Sequence, residues 1–218
     1  MNGDSRQSMR GVYAITDPNL LPGDSLYTQV AAALEAGICL LQYRNKAASW
    51  AQQCTEAATL LTLCRRYHTP LLINDNPDLC LEVGADGVHL GQGDTELRAA
   101  RQRLGTTAII GITCHDSLDA AIRGQEQGAS YVAFGRFYPS STKPHASPAD
   151  MSILRQAKAQ LQLPLVAIGG INAENGSALV AAGADMLAVI HTLFAHPDVS
   201  ERVRRLQQCF APTPDTHA

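Results

Sequence analysis

The sequence has few charged residues, and neither sign of charge dominates. Only 17% of its 218 residues are Asp, Glu, Lys or Arg, and the formal net charge is −3. Proteins that bind nucleic acid usually carry a basic face, which raises the count of Lys and Arg. The bulk charge therefore gives no indication of a nucleic-acid partner.

Long apolar runs and paired cysteines are also missing. No apolar run approaches the roughly 18 residues that indicate a membrane-spanning helix, and no signal peptide is recognisable. The six cysteines form no Cys-x-x-Cys pair, and most fall in apolar runs where a free thiol behaves as a small hydrophobe: Cys39, Cys54, Cys64, Cys80, Cys114 and Cys209. We expect a cytoplasmic protein that is not attached to a membrane.

What the sequence does contain is a repeated phrase in which glycine ends a helical pattern and an apolar strand follows. The four copies are Ala36-Gly37, Gly84-Ala85-Asp86, Gly128-Ala129-Ser130 and Gly183-Ala184-Asp185. Glycine is common just past a helix C-terminus, because it adopts the left-handed backbone conformation easily. The spacing between copies is too long for one strand–helix unit and fits two.

Eight short apolar strands follow from this spacing. Four come after the repeated phrase (38–44, 87–90, 131–135 and 186–190), and four lie between (12–15, 71–73, 108–111 and 165–168). Amphipathic helical patterns separate them, with Ser49, Ser117 and Asn172 predicted as N-caps and Ser147-Pro148 as a cap followed by the first helical residue.

Eight alternating units predict a single-domain (β/α)₈ barrel over residues 11–210, with loose polar tails at 1–10 and 211–218. A doubly wound open sheet is the weaker alternative, because no G-x-G-x-x-G follows the first strand.

Two carboxylates follow consecutive strands of this predicted barrel. Asp75 lies just past strand three and Asp94 just past strand four. Neighbouring strands lie about 5 Å apart, so both carboxylates can reach one ion, and hard oxygen ligands suit Mg²⁺. The alternative, left open by the spacing, is that each Asp caps the helix that follows it.

Two anion-binding subsites are predicted at the same end of the barrel. Gly169 and Gly170 follow strand seven, where this fold commonly binds phosphate through backbone N–H groups, although a tight turn would also need these glycines. Arg44, Lys46 and Lys143 would face the metal. Their positive charges and that of the ion would exceed the negative charge of the two carboxylates, which predicts that a strongly anionic group, most simply a diphosphate, binds there. Taken singly, the two lysines are equally typical of ordinary loops.

No obvious proton-abstracting base lies at the centre of the predicted site. His89 falls within strand four, where it is either a packed, hydrogen-bonded residue or a catalyst. A metal-bound diphosphate without a base suggests that the leaving group departs first and that a nucleophile needing no deprotonation then attacks.

The motifs as a set resemble the thiamine-phosphate synthase family. They occur in the family's order across about residues 11 to 210: Tyr13-Ala14-Ile15-Thr16-Asp17, Gln42-Tyr43-Arg44-Asn45-Lys46, Leu72-Ile73-Asn74-Asp75, Ala85-Asp86-Gly87-Val88-His89-Leu90-Gly91-Gln92-Gly93-Asp94, Ser140-Ser141-Thr142-Lys143 and Ala167-Ile168-Gly169-Gly170-Ile171. The resemblance implies an Mg²⁺-assisted transferase. It would join 4-amino-2-methyl-5-hydroxymethylpyrimidine diphosphate to 4-methyl-5-(2-hydroxyethyl)thiazole phosphate and release diphosphate.

The resemblance also implies the roles of individual residues. Asp75 and Asp94 would bind Mg²⁺. The pyrimidine diphosphate would be held by Gln42, Arg44, Lys46, Asn74, Thr113 and Lys143, of which Arg44, Lys46, Thr113 and Lys143 would act in catalysis. The thiazole phosphate would be held by Ser140, Ser141, Thr142, Gly169, Gly170 and the backbone of Ile190 and His191.

Three positions depart from the family pattern, and two rival functions stay open. The family usually has Ser at Thr113, often Thr at Ser140, and usually Ser at His191, where a bulky imidazole would alter contacts to the thiazole phosphate. One rival is a related thiazole tautomerase, which needs no diphosphate subsite. The other is a barrel that binds thiazole phosphate or thiamine phosphate as a regulator without turnover. The oligomeric state is also open, a homo-oligomer included.

Overall fold

The structure is a computed structural model, and it describes residues 9–91, 97–139 and 148–211. Most of both predicted tails lies outside these ranges. Eight strands alternate with helices in the following order: β1 Gly11–Ile15, α1 Ser25–Glu35, β2 Leu40–Tyr43, α2 Trp50–Arg66, β3 Leu71–Asn74, α3 Pro77–Val83, β4 Gly87–Leu90, α4 Leu97–Leu104, β5 Ile109–His115, α5 Leu118–Glu126, β6 Tyr131–Phe134, α6 Ser152–Gln160, β7 Leu165–Ile168, α7 Gly176–Ala181, β8 Met186–Val189, α8 His191–Phe194 and α9 Val199–Gln207, with a 3₁₀ turn over Gln208–Phe210.

The strands close into one parallel barrel. Each pairs in parallel with the next along the chain, and β1 also pairs with β8, where Gly11 lies opposite Met186. The (β/α)₈ prediction is therefore confirmed, and the doubly wound open sheet is wrong, since an open sheet has two unpaired edge strands. Among the described helices none is both long and apolar enough to cross a membrane.

The repeated phrase fastens strands together in pairs at the N-terminal end of the barrel. The third residue of the phrase accepts a hydrogen bond from the first strand's backbone N–H in three pairs: Asp86 from Leu71 at 2.8 Å, Ser130 from Ile110 at 3.0 Å, and Asp185 from Leu165 at 2.9 Å. In the β1–β2 pair the Cys39 thiol instead donates to the Val12 carbonyl at 3.3 Å. We call these four contacts the strand-pair clamps.

The glycines of the repeated phrase have the backbone conformation that the sequence predicts. Gly37, Gly84, Gly128 and Gly183 have φ of 90°, 70°, 90° and 121°. Residues other than glycine rarely adopt these backbone angles. Each glycine turns the chain out of a helix so that the next strand can begin.

Two of the predicted helix caps are confirmed. The Ser49 hydroxyl accepts from the Gln52 N–H at 3.3 Å, and the Ser117 hydroxyl accepts from the Ala120 N–H at 3.2 Å. Each satisfies a backbone donor that the first turn of its helix leaves without an intrahelical partner.

The caps predicted at Asn172 and at Ser147-Pro148 are wrong. Asn172 accepts from two N–H groups, including that of Asn175 at 3.0 Å, but these belong to a turn, and α7 starts only at Gly176. Pro148 precedes the start of α6 at Ser152, and Ser147 lies outside the described residues. At Asn172 a polar turn stands where a helix start was predicted, because the same side chain can stabilise both.

The core has two layers. An outer layer packs the strands against the surrounding helices, and an inner layer fills the barrel with Tyr13, Ile15, Leu40, Leu72, Tyr131, Ala133, Val166, Met186 and Ala188. Two tyrosines in so narrow a space require room nearby. A Cβ at Gly111 would lie 1.9 Å from the Cζ atom of Tyr131, so glycine in β5 provides that room.

Candidate active site

One pocket opens at the C-terminal end of the barrel and gathers the predicted residues that the structure describes there. It is lined by residues that include Gln42, Arg44, Asn74, Thr113, Gly169, Gly170, Ile190 and His191. Lys46 and Asp75 line an adjoining pocket, which shares Asn74 with the first. Five predicted residues lie outside the described ranges: Asp94, Ser140, Ser141, Thr142 and Lys143.

Arg44 is held where β1 and β2 end. The Thr16 hydroxyl accepts from the Arg44 N–H at 2.8 Å and lies 3.4 Å from the Arg44 carbonyl oxygen. Thr16 itself is buried. This contact ties the two strand ends together and fixes the backbone that projects the guanidinium into the pocket.

Asp75 is oriented by neighbours rather than used as a helix cap. Its Oδ1 accepts from the Gly91 N–H at 3.0 Å, which joins the ends of β3 and β4. Its Oδ2 lies 2.6 Å from both the Asn74 amide nitrogen and the Lys46 ammonium. The cap of α3 is Asn76, whose side chain accepts from the Leu79 N–H, so the capping alternative is wrong for Asp75.

The backbone at Asp75 is also unusual. Its φ is 58°, in the left-handed region that a non-glycine residue enters at some cost. Such strain is typical of residues whose side chain must point in a particular direction. Here that direction is towards the barrel mouth, with 18% of the side chain exposed.

These contacts fit a hard divalent cation. The carboxylate already holds a cation, the Lys46 ammonium, whose side chain is 57% exposed and can move aside. Carboxylate oxygens suit Mg²⁺. The described residues contain no cluster of three or more His, Cys, Asp or Glu side chains that could hold a metal by themselves. Asp75 would therefore need further ligands to hold a metal ion here.

Glycine backbone after β7 lines another part of the pocket. Gly169 and Gly170 have φ of 102° and 63°, and a Cβ at Gly170 would lie 2.3 Å from the Pro139 carbonyl oxygen. The two glycines form a tight turn, and the same turn lines the pocket, so the tight-turn interpretation and the phosphate-site interpretation are compatible. Beside it, Ile190 and His191 begin α8, and the Thr192 hydroxyl donates to the Ile171 carbonyl.

A chain of hydrogen bonds crosses the barrel beneath the pocket. The Gln42 amide donates to the Tyr13 hydroxyl, which lies 2.9 Å from the Tyr131 hydroxyl. The Tyr131 hydroxyl lies 2.8 Å from His89 Nδ1, and His89 Nε2 lies 2.9 Å from the Thr113 hydroxyl. His89 is thus hydrogen-bonded through both ring nitrogens, as the first alternative predicts, and it also lines the pocket.

Burial sets the protonation of the groups around this chain. Desolvation raises the pKa of both Tyr13 and Tyr131 well above the usual range, so both phenols stay neutral. Burial also raises the pKa of the Cys114 thiol to about 12. Cys114 is completely buried, which confirms its interpretation as a packing residue.

Two features of the pocket were not predicted as site residues. Arg136, just after β6, lines the pocket and adds a cation near Gly169, whose added Cβ would lie 2.2 Å from the Arg136 Cβ. The second feature is the pair Tyr13 and Tyr131, which the sequence predicts only as strand residues. The available signal was Gly111, because a lone glycine inside a strand indicates a close neighbour.

Comparisons with known proteins agree with this geometry. A family model described as thiamine monophosphate synthase (TMP-TENI) matches residues 12–193. A thiamine-phosphate synthase of Alcanivorax borkumensis is 49% identical over 205 residues, covering 93% of this chain and 94% of that protein. One from Marinobacter nauticus is 49% identical over 212 residues, covering 96% and 95%.

A solved structure gives the same result. The thiamine phosphate pyrophosphorylase of Pyrococcus furiosus superposes with a TM-score of 0.84 at 31% identity, covering 94% of this chain and 96% of that one. The motifs, the closed barrel and the matches along nearly the whole chain lead to one conclusion. The chain belongs to the thiamine monophosphate synthase family.

Proposed function

We propose that the pocket joins the pyrimidine diphosphate and the thiazole phosphate to form thiamine phosphate and diphosphate. The observation that carries the proposal is the arrangement of one pocket with two unlike walls. One wall presents Gln42, Arg44 and Asn74, and the other presents the Gly169-Gly170 backbone and the start of α8. A cationic wall suits a diphosphate, and bare N–H groups suit a single phosphate.

The diphosphate would lie on the side of Arg44, Lys46 and Asn74. Asp75 and Asp94 would hold Mg²⁺ next to it, and the metal would neutralise charge on the diphosphate oxygens. Arg44 offers a fork of N–H donors, and Lys46, released from Asp75 by the metal, offers a mobile charge. Lys143, outside the described residues, would complete the set.

The thiazole phosphate would lie against Gly169, Gly170 and the backbone of Ile190 and His191. The loops after strands seven and eight are the usual phosphate position of this fold. A backbone contact at His191 does not depend on the side chain, so the imidazole would leave it in place. Ser140, Ser141 and Thr142 belong to the same proposal and lie outside the described residues.

The reaction needs no proton transfer. The bond between the pyrimidine methylene carbon and the diphosphate oxygen breaks, and its electron pair leaves with the diphosphate. The lone pair of the thiazole nitrogen then forms the new bond to that carbon. The described residues that line the pocket include no carboxylate to act as a base, while Arg44 can stabilise the charge of the departing group.

Release of diphosphate tests the proposal directly. The purified protein is incubated with each substrate alone and with both, with and without Mg²⁺, and diphosphate is measured. Release that requires both substrates and the metal is expected. No release, with thiazole phosphate still bound, would favour a tautomerase or a regulatory barrel, which assays for tautomer conversion then separate.

The proposal also covers the setting of the reaction. It takes place in the cytoplasm on small molecules, without a membrane or nucleic-acid partner. Sedimentation of the purified protein decides between a monomer and a homo-oligomer.

A further inference from the structure

The hydrogen-bonded chain from Gln42 to Thr113 connects residues of five strands. Gln42, Tyr13, His89 and Thr113 line the pocket, and Tyr131 links Tyr13 to His89 within the barrel interior. The two tyrosine rings meet edge to face at 88°, and the His89 ring stacks on Tyr131 with 5.6 Å between centroids. Packing therefore holds these side chains in one arrangement.

Hydrogen counting gives the chain a direction. The Gln42 amide nitrogen can only donate, so the Tyr13 oxygen accepts from it and the Tyr13 hydrogen goes to Tyr131. Each phenol carries one hydrogen, and burial keeps it there. The Tyr131 hydrogen then goes to His89 Nδ1, which must be the unprotonated nitrogen of a neutral imidazole.

The direction continues to the pocket. A neutral imidazole without hydrogen at Nδ1 carries it at Nε2, which donates to the Thr113 oxygen. The hydroxyl hydrogen of Thr113 is then available to a ligand in the pocket. If the Gln42 amide were turned, with its oxygen toward Tyr13, every bond would reverse and Thr113 would accept instead.

We propose that Tyr13, Tyr131 and His89 are positioning residues that fix His89 in the Nε2–H form and so present the Thr113 hydroxyl as a hydrogen-bond donor to the pyrimidine diphosphate. The identity of that ligand rests on the proposed function. The tautomer of His89 does not, since it follows from the orientation of the Gln42 amide and the contacts along the chain.

Nitrogen NMR of the imidazole tests the chain without any substrate. The protein is labelled with ¹⁵N-histidine, and the His89 signals are assigned by their loss in His89→Gln. We expect a pyrrole-like shift at Nε2 and a pyridine-like shift at Nδ1. The opposite pattern would overturn the proposal, because it would reverse the direction of every bond.

Removal of one hydroxyl tests the positioning role. Tyr131→Phe takes away the donor to Nδ1, so we expect averaged tautomer shifts and a fall in kcat of about 10-fold, with a smaller change in KM. Tyr13→Phe keeps the Tyr131 hydroxyl beside Nδ1 but removes the partner that directs its hydrogen to His89, so a smaller shift toward averaged tautomers is expected. Tyr67→Phe, the same change on an exposed residue after α2, is the matched control and should alter neither readout.

The outcomes separate this proposal from the proposed function. Averaged tautomers in folded Tyr131→Phe with unchanged kcat would refute the positioning role, while circular dichroism checks the fold. An unaltered protein that shows the Nε2–H form but releases no diphosphate would contradict the proposed function and the ligand assigned to Thr113, and would leave the bond direction established.

Discussion

Glycine serves two different purposes among the residues of this barrel. At Gly84 only the left-handed backbone conformation matters, since φ is 70° and an added Cβ would meet nothing within 4 Å. At Gly170 the φ is similar, 63°, but an added Cβ would also meet the Pro139 carbonyl oxygen at 2.3 Å. The two sites separate backbone strain from loss of space beside the pocket.

We therefore expect Gly84→Ala to affect stability alone and Gly170→Ala to affect stability more strongly and activity as well. Gly84→Ala should lower the free energy of unfolding by about 1–2 kcal/mol, the cost of an L-residue in this conformation, and Gly170→Ala by more, because its Cβ would press on the Pro139 carbonyl. Only Gly170→Ala should raise the KM for thiazole phosphate, on the order of 10-fold or more, because the pocket wall must move. Urea unfolding and steady-state kinetics measure the two effects, and equal KM values in both variants would contradict the subsite.

The role of the negative charge on Asp75 can be tested with a substitution that keeps the shape of the side chain almost unchanged. Asp75→Asn keeps an oxygen that can accept from the Gly91 N–H but removes the negative charge that would hold Mg²⁺. We expect diphosphate release to fall by about 100-fold, the effect of losing a few kcal/mol of charge stabilisation. More Mg²⁺ should be needed for half-maximal rate.

The matched control is Asp78→Asn on α3. The Asp78 side chain is 62% exposed and, in the part of the chain that the structure describes, forms its salt bridge with the exposed Arg103, so rate and metal dependence should both stay unchanged. If Asp75→Asn behaves like this control, Asp75 is not a metal ligand.

At the scale of elements, the strand-pair clamps differ in burial. Asp185 is buried, accepts from the Leu165 N–H, and pairs with Lys158 at 2.7 Å. Asp86 makes the equivalent contact to Leu71 from an exposed position. Water can replace a lost partner only at the exposed clamp.

We accordingly expect Asp185→Ala to lower the free energy of unfolding by about 2–4 kcal/mol and Asp86→Ala by about 1 kcal/mol. Chemical denaturation monitored by circular dichroism compares the two. An equal loss in both variants would contradict the role of burial.

The sequence of this protein predicts the order of strands and helices along the chain better than it predicts other features of the fold. The repeated glycine phrase predicts four of the eight strands, since Gly37, Gly84, Gly128 and Gly183 each adopt a left-handed backbone, and apolar runs between the copies predict the other four. Helix starts were less certain, because Asn172 stabilises a turn with the same side-chain oxygen that would cap a helix.

Contacts between distant strands could not be predicted from the sequence. Tyr13 and Tyr131 are 118 residues apart, and nothing local to either shows that their hydroxyls meet. The same holds for Lys46 with Asp75, which the resemblance placed near one metal but not in contact. The strand ends were predicted because topology alone brings them to one face, whereas these contacts depend on packing.

For the whole molecule, buried thiols make stability depend on alkaline pH. Burial raises the pKa of Cys80 to about 11 and of Cys64 and Cys114 to about 12, from an ordinary value of 9.0. In the unfolded chain the thiols lose their protons at lower pH than in the folded one. Their contribution to stability is therefore complete below pH 9.0 and is lost as pH rises through 11 to 12.

For each of these thiols, the free energy of unfolding should fall by about 1 kcal/mol as the pH rises by about one unit above 9.0. Urea unfolding at about pH 8 and about pH 10 measures the difference. Cys64→Ala should be less stable than the unaltered protein but show a shallower dependence on pH. A dependence equally steep in that variant would contradict the assignment to Cys64.

The strand-pair clamps also make the barrel divisible. Each pair of strands brings its own fastening at the N-terminal end and its own two substrate-facing loops at the other, as β3 and β4 do with Asp86 below and Asp75 and Gly91 above. Such a pair is a cassette. We expect that it can be exchanged with the corresponding segment of a relative to transplant a piece of the active site, because the contact that keeps its two strands in register is exchanged with it.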